Sequence, residues 1–557
     1  MPVNPRLSAP GNSEYARPLR LRAACVCLLF ACDLSGLGEG SATSGYRVSP
    51  ASSRRDRRTL VVGRPADAIS LDPARVSDNE SGEVCEQIYE SLLRYKAGST
   101  RIEAGLAERW ETSADGKTWT FHLREGVRFH DGRRLDATAV VISLERQRDP
   151  QHPHHRLDRT GLEFAYAEML KTIRKIEAIG PMTVQITLDR TYAPFEANMA
   201  MVAFAIISPA ALAAWRQDYY LHPVGTGPFR FAEWKEGRVV LERNPDYWGQ
   251  PPAIDRLVFR AIPDGRQRLI ELESGAIDVA YSILPAELQF VELHPDLVLH
   301  QAAANNVAYL AMNTTRRPFD DQRVRRAVNY AINKDPIVKL AYHGMAVAAT
   351  GPLPPTQWGY HRVEAYRYDP ERASGLLKDA AAEGHFDPFR VHRLYVPSTS
   401  RPYLPDPESV ARVIQANLKA VGLETELVVQ GMKGHIEDAQ NGEHDLALFG
   451  WVGDNGDPDN FLYLLLDQDN TTPGTARNVA FYRDLELHEL LIAAQQTTSQ
   501  AGRERMYRRA QERIAAQAPW VPLAHSKVSV AARVDVGGIK VNPSTHVDFR
   551  GVRRLEH

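Results

Sequence analysis

GWVGDNGDPDNFLYLLL, from Gly450 to Leu466, places one acid, Asp454, three residues after Trp451 in a glycine-rich segment that runs on into apolar residues. An ionised carboxylate is costly to bury unless it finds a cation or several hydrogen bonds. Asp454 is therefore expected either to meet an internal arginine or to capture the ammonium group of a ligand. Two blander readings compete with this. An aspartate before Asn455-Gly456 suits a capped turn, in which the side chain bonds its own backbone. Asp454, Asp457 and Asp459 also have the look of a calcium loop, but the glycine needed at the sixth position is absent and Pro458 breaks the ligand spacing.

Outward from this run, the chain of 557 residues exceeds the size at which one core keeps growing, so several lobes are expected. Its 67 basic and 69 acidic side chains give a formal charge of -2, and no overall field points to nucleic acid or an anionic membrane. No apolar run is long enough to span a bilayer, which excludes a permease. At the N-terminus, Arg17, Arg20 and Arg22 precede the apolar stretch Ala23 to Cys32, followed by the small and polar residues Asp33 to Gly45. This reads as an export signal. Leu29-Phe30-Ala31-Cys32 resembles a lipoprotein processing site, except that Phe30 is bulky where that pattern takes a small or β-branched residue, so anchoring through Cys32 stays an alternative. Ser49 to Arg58 forms a polar linker rich in arginine. With Cys25, Cys27 and Cys32 in the leader, Cys85 remains alone; no disulfide is expected, and Cys85 is read as a buried small hydrophobe.

Beyond residue 59 the chain alternates strand and helix signals, as in an α/β protein. Trp119, Phe121 and Leu123, and again Val184, Ile186 and Leu188, recur with period two, the mark of a half-buried strand. From Asp136, read as an N-cap, Ala137, Val140, Val141 and Leu144 fall at helical spacing, as do Met506, Ala510 and Ile514. His152, His154 and His155 sit in a proline-containing loop without the spacing of metal ligands, and no metal is assigned. No GxSxG, HExxH or GxxxxGK[ST] string occurs, so no catalytic residue is assigned and a hydrolase is the least favoured reading.

Several blocks carry a resemblance. Gly450 to Phe461 closely resembles the corresponding stretch of the family-5 extracellular solute-binding proteins of bacterial ABC peptide importers, in particular the periplasmic dipeptide-binding proteins. So do Gly105 to Gly132, Val224 to Phe229 (VGTGPF), Asn244 to Gly249 (NPDYWG), Pro318 to Lys334 and Trp358 to Tyr360, in one order along nearly the whole mature chain. The resemblance implies an α/β, two-lobed clamp of the periplasmic-binding-protein type (type II, cluster C) with an additional third domain. It implies residues 1–58 as signal and linker, 59–100, 221–305 and 522–557 as the first lobe, 101–220 as the extra domain and 306–521 as the second lobe, with hinge crossings near 305 and 521. It implies that Asp454 pairs with a peptide ammonium and that Arg401, in Ser400-Arg401-Pro402-Tyr403, holds the carboxylate, with Trp451, Gly453 and Tyr403 completing the site. An acid and a base fixed in one lobe act as a ruler, since each extended residue spans about 3.3 to 3.6 Å. The expected partners are a dipeptide or short peptide and an inner-membrane ABC permease, with no nucleic acid and no cofactor, for a monomer in the periplasm. Haem, glutathione or a metal is the alternative ligand class. The chain departs from the enteric dipeptide binders in lacking their disulfide cysteines.

Overall fold

The computed structural model describes residues 58–155, 158–363, 366–544 and 546–555. The export signal, Cys32 and the linker up to residue 57 lie outside the described residues.

The fold is organised by one fourteen-residue strand, Trp520–Arg533, that belongs to two halves of a twelve-stranded mixed sheet. Its first half pairs antiparallel with Asn306–Met312, matching Trp520 to Ala311 and Ala524 to Ala308. Its second half pairs antiparallel with Leu297–Ala303, from Lys527 opposite Ala303 to Arg533 opposite Leu297, and with Val279–Tyr281. On the first side the sheet continues through Leu446–Val452, His392–Pro397 and Thr425–Gln430; on the second it continues through Thr59–Arg64, Arg256–Ala261, Arg238–Arg243 and Phe229–Lys235. Two short stretches thus connect the halves, residues 303–306 and 524–527.

Strand Asn306–Met312 shows why this sheet needs layers on both faces. All seven of its residues are buried. Ala308, Leu310 and Met312 enter one apolar core, while Val307, Tyr309 and Ala311 enter another on the opposite face, as strand alternation requires. The other half is built alike, with Leu60 and Val62 in one core and Val61 packed against a second. A separate four-stranded antiparallel sheet joins Ala107–Thr112, Thr118–Leu123, Thr183–Leu188 and Ile173–Gly180. Trp119, Phe121, Leu123, Val184, Ile186 and Leu188 all point into its core, so the period-two reading holds. Helix Ala137–Arg148 starts where Asp136 accepts a hydrogen bond from the Ala139 amide at 2.9 Å. In the turn between the first two of these strands, Gly116 has φ of +69°, a conformation side chains disfavour.

Cys85 is fully buried in helix Asn79–Ile88, and burial holds its thiol pKa well above the usual value. No disulfide forms among the described residues, and no helix among them is long and apolar enough to cross a membrane.

Candidate functional site

The site is built where strand Leu446–Val452 ends. The Gly453 amide donates to the Asn305 carbonyl at 2.9 Å, which draws the chain against the strand connection. A Cβ at Gly453 would lie 2.3 Å from Asn305 Nδ2 and 2.7 Å from the Phe461 ring, so only glycine fits. The next residue, Asp454, is fixed by Asn460 of helix Asp459–Leu466. Asn460 Oδ1 accepts from the Asp454 amide at 2.9 Å, and Asn460 Nδ2 donates to Asp454 Oδ2 at 3.0 Å. The Trp451 indole N–H donates to the same Asn460 Oδ1 at 2.9 Å. One asparagine thus holds Trp451 and Asp454 in a single unit. Its partners lie nine and six residues upstream, and sequence reasoning missed it.

The other Asp454 oxygen accepts from the Tyr166 hydroxyl at 3.4 Å. No Lys, Arg or His among the described residues forms an ion pair with this carboxylate. Burial raises its pKa above the ordinary aspartate value, against the lowering influence of the Asn460 and Tyr166 hydrogen bonds and of the Arg477 charge. The structure therefore places Asp454 as a half-buried acid hydrogen-bonded by neutral donors, with the Arg477 charge acting on it but forming no ion pair.

Asp457 and Asp459, whose spacing does not suit a calcium loop, are structural and buried. Asp457 receives a bidentate pair from Arg503 at 2.7 and 2.8 Å, and Asp459 accepts from Gln495 at 3.0 and 3.2 Å. Burial, with the Asp457 charge beside it, pushes the Asp459 pKa up to about 7. Between these acids and Asp454, the loop meets elements from much earlier in the chain. Asn455 donates to Asn198 Oδ1 at 2.8 Å, and the Gly456 amide donates to the Tyr95 hydroxyl at 3.1 Å.

Asp454 opens onto a cleft that is also lined by Asn305, Gly453, Asn455 and Gly456. The same cleft is lined by Glu86, Glu90, Arg94, Asp548 and Arg550. These groups are satisfied within the protein. Glu86 pairs with His546 at 2.9 Å, Arg94 with Glu103 at 2.8 Å, and Arg550 with Asp548 at 2.6 and 2.8 Å. Both Glu90 oxygens are taken, by Thr226, Tyr247 and Trp248 at 2.7 to 2.9 Å. Asp454, with one good and one long neutral hydrogen bond, is the acid of this cleft best able to accept another donor.

Arg401 is not among the residues lining that cleft. It opens a tight turn in which the Arg401 and Leu404 backbones exchange hydrogen bonds of 3.0 and 2.9 Å. Its guanidinium makes no hydrogen bond or ion pair among the described residues. Tyr403 of the same turn lies flat on Gly450, where a Cβ would come within 2.1 Å of the ring. Trp451, Gly453 and Asp454 thus form one constellation, Tyr403 packs on the strand that carries it, and Arg401 sits on the adjoining turn. The histidine loop holds His155 by the Arg146 carbonyl at 2.9 Å and gathers no metal-like set. Such a set occurs elsewhere among the described residues, at Asp467, Asp469 and His488. There His488 Nδ1 lies 3.0 and 3.1 Å from the two Asp467 oxygens, which an Asp–His pair explains.

Over residues 101–473 the chain matches the family described as bacterial extracellular solute-binding proteins, family 5 Middle. It is 36% identical over 481 residues to the dipeptide-binding protein of Escherichia coli K12, covering 84% of this chain and 88% of that one. It is 34% identical over 548 residues to heme-binding protein A of Haemophilus influenzae Rd, covering 95% and 97%. The solved periplasmic binding protein DppA of Helicobacter pylori, associated with an ABC transporter and in complex with the peptide STSA, has 33% identity and a TM-score of 0.74, covering 89% of this chain and 98% of that one.

Proposed function

Since the chain belongs to the family-5 bacterial extracellular solute-binding proteins, α/β two-lobed clamps with a third domain, we propose that it captures dipeptides or short peptides in the periplasm and delivers them unchanged to an inner-membrane ABC permease. The observation that carries this reading is the Asp454 carboxylate, half-buried at the cleft with hydrogen bonds from Asn460 and Tyr166 but no ion pair among the described residues, the Arg477 charge acting on it only from a distance. A peptide ammonium would supply the missing charge through charge-assisted hydrogen bonds, which gain strength away from water. The relatives from E. coli and H. pylori, a dipeptide-binding protein and a protein solved with a peptide, support the same ligand class. We take residues 59–100, 221–305 and 522–557 as one lobe, 306–521 as the other and 101–220 as the third domain. The connections at 303–306 and 524–527 then act as the hinge.

Haem is the competing ligand, through the name of the H. influenzae relative. Its propionates are anions, however, and Asp454 would repel them while leaving its own charge unpaired. Native mass spectrometry after incubation with a dipeptide library, and separately with haem, is expected to show an intact dipeptide bound. A cleaved peptide, or haem bound in preference, would overturn the reading.

Arg401, unpaired among the described residues, is assigned to the ligand carboxylate, which a planar guanidinium can hold bidentately. Calorimetry on Arg401→Ala is expected to show the free-acid dipeptide losing about tenfold in affinity, or about 1.4 kcal/mol, and the dipeptide amide losing distinctly less. Equal losses for acid and amide would remove Arg401 from carboxylate recognition.

A further inference from the structure

We infer that Ser526 and Tyr342 are positioning residues that fix Arg401 by gripping the two central carbonyls of its turn. The inference rests on the carboxylate role given to Arg401 above.

The turn from Arg401 to Leu404 closes on itself through its end residues only, which leaves the carbonyls of Pro402 and Tyr403 to find donors elsewhere. Each finds one side chain. The Ser526 hydroxyl donates to the Pro402 carbonyl at 2.9 Å, and the Tyr342 hydroxyl donates to the Tyr403 carbonyl at 2.7 Å. Ser526 is 6% exposed and Tyr342 is 1% exposed, so both donors are held inside the protein while the turn that they grip lies nearer the surface.

Ser526 is itself held on both sides. Asn306 Nδ2 donates to its hydroxyl at 2.7 Å, and its amide donates to Asn306 Oδ1 at 3.0 Å. The neighbouring His525 ring contacts the Asn306 carbonyl at 2.7 Å, and the Ser526 carbonyl accepts from Ala304 at 3.0 Å. These residues form the two connections between the sheet halves. The hydroxyl therefore runs a direct line from the crossing strands to the turn, and the Arg401 backbone is referred to the place where the two halves meet. Tyr403 completes the fit by lying on Gly450, four residues before Asp454. The turn is thus located against the same strand that carries the acid, which fixes where the Arg401 backbone stands relative to that strand.

The test measures the ratio of affinities for a dipeptide free acid and its amide, in Ser526→Ala and in Tyr342→Phe, alongside the unaltered protein. Both variants delete one hydroxyl at nearly constant shape, and Tyr342→Phe leaves the crossing strands untouched. In each, preference for the free acid is expected to shrink by about threefold to tenfold, the worth of one hydrogen bond, while amide affinity changes little. A purely structural role would lower both affinities together and leave the ratio unchanged. If the unaltered protein favours the acid and both variants keep that full preference, the positioning role is overturned while the carboxylate role of Arg401 stands. If the unaltered protein does not distinguish acid from amide, the carboxylate role itself fails.

Discussion

Replacing Asp454 with asparagine is expected to weaken dipeptide binding by at least about tenfold at neutral pH, because a hydrogen bond to a charged group contributes about 1.5 to 3 kcal/mol. The substitution keeps the shape and need not strand a neighbour. Its amide oxygen can accept from Asn460 Nδ2 as the carboxylate does, and its amide nitrogen can donate to the half-buried Tyr166 hydroxyl, reversing the present bond while keeping the contact. The effect on the empty protein should have the opposite sign. Burial raises the folded-state pKa of Asp454 above the unfolded value of 3.8, so the native state binds its proton more tightly. Stability from this group is present at low pH and is lost as pH rises from the unfolded value through the folded one. At neutral pH the ionised Asp454 therefore destabilises the ligand-free protein, and Asp454→Asn should melt at a higher temperature than the unaltered protein. Addition of a dipeptide should then stabilise the variant much less. Calorimetry showing unchanged affinity would end the ammonium role, and a ligand-free Tm that falls would end the account of a destabilising charge.

Local signals carried further in this chain than long-range ones. The strands containing Trp119 and Val184 and the helix capped by Asp136 follow from spacing, since period and cap depend on neighbours in sequence. The peculiarity of Asp454 was legible too, because an acid between a tryptophan and an apolar run is costly wherever the chain puts it. Its setting was not. Asn460 reaches back only after Pro458 and the following helix turn it toward Trp451, and Tyr166, Tyr95 and Asn198 approach from parts of the chain hundreds of residues away. For Asp457 and Asp459 the sequence excludes a calcium loop but does not show their burial, which involves Arg503 of helix Gln500–Gln517. One signal of that burial was present. Arg503, Tyr507, Ala510 and Ile514 share a helical face, and an arginine on an apolar stripe implies a buried acid to receive it.

That arginine makes the larger stability prediction: Arg503→Ala is expected to cost about 3 to 5 kcal/mol at pH 7, the range for removing one partner of a buried ion pair. The Arg503 and Asp457 side chains are only 7% and 4% exposed. Besides its two bonds to Asp457, the guanidinium donates to the Ala494 carbonyl at 3.0 Å and the Tyr507 hydroxyl at 2.7 Å, and it lies 4.9 Å from the centre of the Trp358 ring. Truncation would leave the Asp457 charge without its cation, next to Asp459, whose pKa already stands at about 7. Loss of the Arg503 charge, which now lowers the Asp459 pKa, would drive Asp459 further toward protonation. A carboxyl whose folded pKa exceeds its unfolded value stabilises the native state at low pH and loses that contribution as pH rises. The deficit of the variant should therefore be largest at neutral pH and shrink as pH falls toward 5. Urea denaturation of both proteins at the two pH values checks this, and a loss that is small at pH 7 or equal at both would refute it. Binding should fall with stability, because Asp457 ties the loop of Asp454 to the helix behind it. Asp457→Asn combined with Arg503→Met should lose less than Arg503→Ala alone, since it removes both charges and leaves neither one buried without a partner.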